Sequence, residues 1–151
     1  MTSDSPSPIP DSRPFSLPTR VYWEDTDAGG VVYHARYLAF MERARTEWMR
    51  VHGYDQEPLR MEHDLVFAVR EVRMDFRRPA RLDDALQVTV ALAQCRRASM
   101  AIVQSVLRDG EVLVEAEVRL AALAASTFRP RAIPDPLYAR LIRLVENGAD
   151  E

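Results

Sequence analysis

Apolar residues recur at Tyr37, Met41, Ala44, Trp48 and Val51, in alternating steps of four and three that place them on one face of a helix. Leu38 and Phe40 widen that face, which predicts a helix buried on more than one side. After it the period changes. Val72, Met74 and Phe76 alternate with charged residues, the same two-residue alternation returns over 86–92 and 112–120, and 100–107 reads as a further strand. One long helix followed by consecutive strands, with no alternation of strand and helix, predicts an α+β domain with an antiparallel sheet.

The boundaries follow from local chemistry. Residues 19–24 (TRVYWE) are β-branched and aromatic, hence a strand, and residues 25–30 form a loop. The long helix is expected to begin near Tyr33 or His34 and to end at His52-Gly53, glycine being the usual residue past a helix C-terminus. Residues 56–64 read as a short turn of helix. Pro79 ends the strand that begins at Val72, Asp83-Asp84 turns the chain, and Asp109-Gly110 is the clearest hairpin turn because both positions tolerate positive φ. Alanine-rich residues 121–126 continue the last strand or fray from it, and residues 136–145 predict a terminal helix. The proline- and serine-rich residues 1–18 are expected to form a disordered tail, which leaves residues 19–147 as the single domain.

Bulk properties narrow the function. A chain of 151 residues with 47% hydrophobic content can bury a real core, and a net charge of −3 argues against general nucleic-acid binding. No apolar run approaches the roughly 20 residues that span a bilayer, and the N-terminus lacks the order of a signal peptide. These features predict a cytoplasmic protein. The single cysteine, Cys95, reads as a small buried hydrophobe, and with scattered His34, His52 and His63 it offers no metal spacing. Nucleotide-binding glycine patterns, GxSxG and HExxH are all absent. No metal or cofactor is expected.

Chemistry concentrates in residues 20–51. Asp25 and Asp27 leave the first strand two residues apart, ahead of Gly29-Gly30 and His34. An Asp-x-Asp before two glycines is ordinarily turn chemistry. Here the turn also delivers a helix start, whose unpaired N–H groups and positive dipole end favour developing negative charge. A thioester carbonyl placed there would have its oxygen held by backbone N–H near His34 and its carbon facing Asp27, acting as general base or as nucleophile. His34 would orient the substrate or assist the leaving thiol, or simply cap the helix in part. Arg96, Arg97 and Ser99 form a second candidate, since paired guanidiniums suit phosphates, against the alternative of a solvated loop between strands. On the long helix, Arg36, Glu42, Arg43, Arg45 and Glu47 are expected to end in solvent.

The stretch RVYWEDTDAGGVVYHARYLAFMERARTE resembles the signature of the hot-dog-fold acyl-CoA thioesterases of the 4-hydroxybenzoyl-CoA thioesterase type, and most closely the Tol–Pal-associated (YbgC-type) subfamily. The similarity extends through FAVREVRMDFRRPARLDD and the Asp-Gly hairpin to RPRAIP, covering about residues 19–135. The resemblance implies an antiparallel sheet wrapped around a long central helix, with two subunits joined sheet edge to sheet edge as a homodimer or further paired as a homotetramer. It implies hydrolysis of an acyl-CoA thioester to free acid and CoA without a cofactor. Asp27 would be the catalytic carboxylate, His34 the subfamily histidine and its N–H the oxyanion donor, Gly29 and Gly30 the turn, and Arg96, Arg97 and Ser99 the CoA-binding residues. The alternative is a domain that holds acyl-CoA or acyl carrier protein in a lipid or envelope assembly without turnover. Two departures stand out: Trp23 replaces a tyrosine of close relatives, and Ala98 replaces a lysine of the aromatic-substrate enzymes. A second hot-dog class uses a helix glutamate, for which Glu42 and Glu47 are available, but Asp27 with its Gly-Gly fits far better.

Overall fold

Five antiparallel strands form one sheet in the order β1-β3-β4-β5-β2, and a long helix, α1, packs across it. The computed structural model describes residues 15–149, with side chains through residue 146. The strands are β1 (Phe15–Arg20), β2 (Leu65–Phe76), β3 (Ala85–Arg96), β4 (Ser99–Arg108) and β5 (Glu111–Ala124). The helices are α1 (Arg36–Val51), α2 (Gln56–His63) and α3 (Asp135–Ala149).

The alternation read from the sequence sets the inner face of the sheet. Leu86, Val88, Val90 and Leu92 of β3, Met100, Ile102 and Val106 of β4, and Val114, Val118 and Leu120 of β5 are buried with Phe40, Met41, Ala44 and Trp48 of α1 in one core. At roughly 25 cal/mol per Å² of buried apolar surface, this contact is what holds helix to sheet. The Asp109-Gly110 turn has φ of 52° and 82°, the positive pair the dipeptide predicts. In α3, Leu137 and Leu141 are buried against the sheet, β3 carrying most of the contact.

Several boundaries differ from expectation. Most of the expected tail, residues 1–14, lies outside the described residues, but its last four residues open β1. Pro18 lies inside that strand. It is tolerated because β1 is a sheet edge, where a missing N–H need not leave a gap in the ladder. The first strand therefore ends at Arg20, and Trp23–Asp25 form a 3-10 turn where a strand was expected. β2 starts at Leu65 instead of Val72, because a register shift between Val69 and Glu71 breaks the two-residue period. On α1, Leu38 (45% exposed) and Val51 (57% exposed) were expected in the core and lie at the surface.

Candidate active site

The link from β1 to α1 is built on Asp25, and that frees Asp27. Asp25 is 4% exposed. Its Oδ2 accepts the Tyr22 N–H at 2.8 Å, which closes the 3-10 turn, and its Oδ1 accepts Arg36 Nε–H at 2.9 Å from the first turn of α1. The Tyr33 N–H donates to the Asp25 carbonyl at 2.9 Å. A buried carboxylate needs this paired cation and these donors to offset its desolvation. Arg36, expected to reach solvent, is thus a structural partner.

Between these anchors, residues 26–32 form a tight hairpin. Thr26 bridges Val32, the Asp27 N–H donates to the Val31 carbonyl at 2.9 Å, and the Gly30 N–H donates to the Asp27 carbonyl at 3.0 Å. The two glycines serve different needs. Gly30 sits at φ +83°, where a side chain is strained. Gly29 has ordinary φ, but a Cβ there would stand 3.2 Å from Asp27 Oδ1, the oxygen that accepts the Gly29 N–H at 2.8 Å. The Asp27 carboxylate is exposed and held by one oxygen, and Oδ2 has no hydrogen-bond partner among the described residues.

His34 lies in the turn just before α1 and not in the helix, which begins two residues later. Short i→i+3 bonds take up the N–H groups of Arg36, Tyr37 and Leu38. Among the described residues, the N–H groups of His34 and Ala35 have no acceptor, and Ala35 at the cap offers no side-chain bond. Two adjacent donors without acceptors at a helix entrance have the chemistry to hold an anion. The hairpin register places Asp27 opposite Val31, three residues short of His34, or about 10 Å along the backbone. The Ala35 donor has no sequence signal, because any residue type could supply it. The exposed His34 ring stands edge-on to Phe76 at 6.4 Å. Beneath it the Ala80 N–H donates to the Tyr37 hydroxyl oxygen at 3.1 Å, and burial pushes the Tyr37 phenol up.

Arg96, Arg97 and Ser99 share the β3–β4 hairpin, with Arg96 paired to Ser99 in register. Arg97 is already engaged: its guanidinium donates to Asp135 at 2.7 Å and lies 4.5 Å from the centre of the Tyr138 ring. Arg96 is exposed. This hairpin is at the opposite end of β3 from the Asp27 turn, whose flank meets the chain at Asp84 and Ala80. Eleven residues of strand separate the two ends, about 35 Å. Within one chain the two candidate clusters do not come together.

Cys95 is buried and burial pushes its thiol up, as expected of an inert hydrophobe. Among the described residues no group of His, Cys, Asp or Glu could hold a metal, and no helix is long and apolar enough to cross a membrane. A cleft of about 310 Å³, lined in part by Glu42 and Arg45, opens further along α1 and does not include Asp27.

With this geometry in place, known proteins give it a context. The family model described as thioesterase-like superfamily matches residues 21–141. The acyl-CoA thioester hydrolase YbgC of Escherichia coli is 43% identical over 126 residues, covering 83% of this chain and 93% of that protein. The acyl-CoA thioesterase YbgC of Haemophilus influenzae is 42% identical over 125 residues, covering 83% and 92%. The crystal structure of a probable thioesterase from Bartonella henselae superposes with a TM-score of 0.77 at 35% identity, covering 81% of this chain and all of that one.

Proposed function

The chain belongs to the thioesterase-like superfamily, and from that premise we propose that it hydrolyses acyl-CoA thioesters to free acid and CoA at the Asp27 turn. The observation that carries this is an exposed, singly anchored Asp27 carboxylate on the same β1–α1 link as the His34 and Ala35 N–H groups, which have no acceptor among the described residues. The thioester carbonyl oxygen sits against those donors, which stabilise it as negative charge develops. Asp27 takes a proton from water as the water oxygen attacks the carbonyl carbon. Collapse of the tetrahedral intermediate breaks the C–S bond, and the proton on Asp27 passes to the departing thiolate. Direct attack by Asp27 gives a mixed anhydride that water then opens, with the same products. His34, exposed at the helix entrance, orients the thioester or assists the leaving thiol.

The same reading extends to the CoA moiety and to assembly. Arg96, Arg97 and Ser99 suit the nucleotide phosphates by their chemistry. β3, about 35 Å long when extended, carries them to its end away from the Asp27 turn, so one CoA thioester would be gripped by hairpin and turn of different copies. β2 is an edge strand of 12 residues, long enough to pair with a second copy and form a homodimer, which pairs further in a homotetramer. An acyl carrier protein is a second candidate carrier of the thioester.

The test is thiol release from a panel of acyl-CoA thioesters, short to long aliphatic plus benzoyl, with Asp27→Asn in parallel. Turnover on one class that vanishes in the variant supports hydrolysis and the residue together. Binding without turnover across the panel moves the protein to the carrier-holding alternative.

A further inference from the structure

The cleft along α1 has a feature that the hydrolytic site does not use. Its floor is apolar, with Leu65 and Phe67 of β2 and Met100 and Ile102 of β4, and Arg45 of α1 forms its wall. Arg45 was expected to end in solvent, yet it turns inward: one Nη1–H donates to Gln104 Oε1 at 3.0 Å. Gln104 is 2% exposed and fixed in turn, its amide donating to the carbonyls of Met41 at 3.2 Å and Thr89 at 3.3 Å. A guanidinium carries five N–H donors. Among the described residues Gln104 is the hydrogen-bond acceptor for Arg45, and no carboxylate lies within ion-pair distance of it. Arg45 is half-buried at the cleft, so its remaining donors face the cleft solvent, where a ligand oxygen can take the place of water.

The position on the helix links this cleft to the reacting end. Leu38, Glu42, Arg45 and Met49 follow one another at steps of four, three and four, so they share one face of α1. Leu38 is exposed near the helix entrance, and on β2 Phe76, beside His34, and Val69, in the cleft, are each about half exposed. Exposed apolar side chains thus stand near the helix entrance and in the cleft, with Glu42 between them on α1. The cleft is lined by two glutamates and two arginines, and Glu57 pairs with Arg60 at 3.1 Å. That balance suits a neutral oxygen better than a carboxylate.

Resting on the hydrolytic reading above, we propose that the cleft receives the acyl chain and that Arg45, held by Gln104, is the specificity-determining residue that reads a hydroxyl on its distal part. Ten residues of helix separate Ala35 from Arg45, a rise of about 15 Å. A hydroxyl next to the thioester does not reach that far. The substrate class is medium- or long-chain hydroxyacyl thioesters with the hydroxyl toward the far end.

The experiment compares dodecanoyl-, 3-hydroxydodecanoyl- and 12-hydroxydodecanoyl-CoA by kcat/KM, and measures binding of dodecanoate and 12-hydroxydodecanoate to the same protein by calorimetry. The expected result is a preference of about tenfold for the 12-hydroxy thioester, the usual worth of one hydrogen bond met in place of none. Arg45→Met should abolish the preference, with Gln104→Met added where the single variant folds poorly. Val69→Trp should cut activity on the dodecanoyl series while sparing butyryl-CoA. Equal rates for all three thioesters and equal binding of both acids overturn the proposal. So does a change in oligomeric state in Val69→Trp with an unaltered chain-length profile, which would make the cleft a subunit contact. No turnover on any thioester, with Arg45-dependent binding of the hydroxy acid, sinks the hydrolytic reading and leaves the cleft assignment standing.

Discussion

Asp25 and Asp27 are the same residue type two positions apart, and the fold uses them in opposite ways. Asp25 is buried, with both oxygens committed to Tyr22 and Arg36, and it welds the 3-10 turn to the start of α1. Asp27 is exposed, with one oxygen anchored by the Gly29 N–H and the other open. A carboxylate whose lone pairs are spent on structure cannot also accept a proton from water. On the proposed mechanism, availability, and not residue type, marks the reacting group. Asp25's bonds to Tyr22, Arg36 and Tyr33 anchor the base of the hairpin that carries Asp27.

The largest effect should separate the two by what each variant loses. Asp27→Asn keeps a side-chain oxygen for the Gly29 N–H but removes the base or nucleophile. We expect a loss in kcat of about a thousandfold, or ~4 kcal/mol of barrier, with a thermal midpoint close to that of the parent. Steady-state thiol release and a melting curve on one preparation check both halves. Arg36→Met should invert the pattern. It strands a buried carboxylate, and we expect a loss of about 3 kcal/mol in stability, read by urea denaturation, with activity falling only as the turn loosens. A variant at Arg36 that kept full stability would remove Asp25 from its structural role.

How much of this could be read from the sequence depended on whether the signal was periodic or relational. The helix face through Tyr37, Met41, Ala44 and Trp48 and the sheet after it follow from side-chain spacing, so the architecture was legible. Asp27, Gly29, Gly30 and His34 stand out by type and proximity; the structure places the first three in one hairpin and His34 in the turn that follows it. What failed was partner choice. Arg36 and Arg45 look like solvent-facing helix charges, and only the positions of Asp25 and Gln104 in space reveal that both turn inward. Arg96 and Arg97 look like company for Asp27 because a CoA thioester would need both, yet an antiparallel strand carries them to the far end of the sheet. The bulge after Val69 hid the first half of β2 because it shifts the very period used to find strands.

The glycines sharpen the comparison at a smaller scale. Gly30→Ala forces a side chain onto φ +83° and should cost about 1–2 kcal/mol of stability along with some activity. Gly29→Ala meets no backbone penalty, but its Cβ would crowd Asp27 Oδ1 at 3.2 Å and move the carboxylate by a few tenths of an ångström. Catalysis depends on placement at that scale, so kcat should fall by roughly tenfold or more while the melting midpoint barely moves. If the two variants lost activity and stability in the same proportion, Gly29 would be a turn residue and nothing more.

Asp84 supplies the case between the two carboxylates, and the smallest predicted effect. Burial pushes its carboxyl up, but the Arg81 N–H at 2.8 Å and the Arg108 guanidinium at 2.8 Å outweigh this and hold it below the usual carboxylate range. A carboxylate with a depressed folded-state pKa contributes stability that is fully present above its unfolded pKa, near 3.9, and is lost as pH falls through the folded value. We expect about 1 kcal/mol from this group, visible as a steeper loss of stability below about pH 4 than in Asp84→Asn. Denaturation midpoints across that pH range measure it. Parallel curves for the two proteins would place Asp84 with Asp27, as a carboxylate that the fold does not use for support.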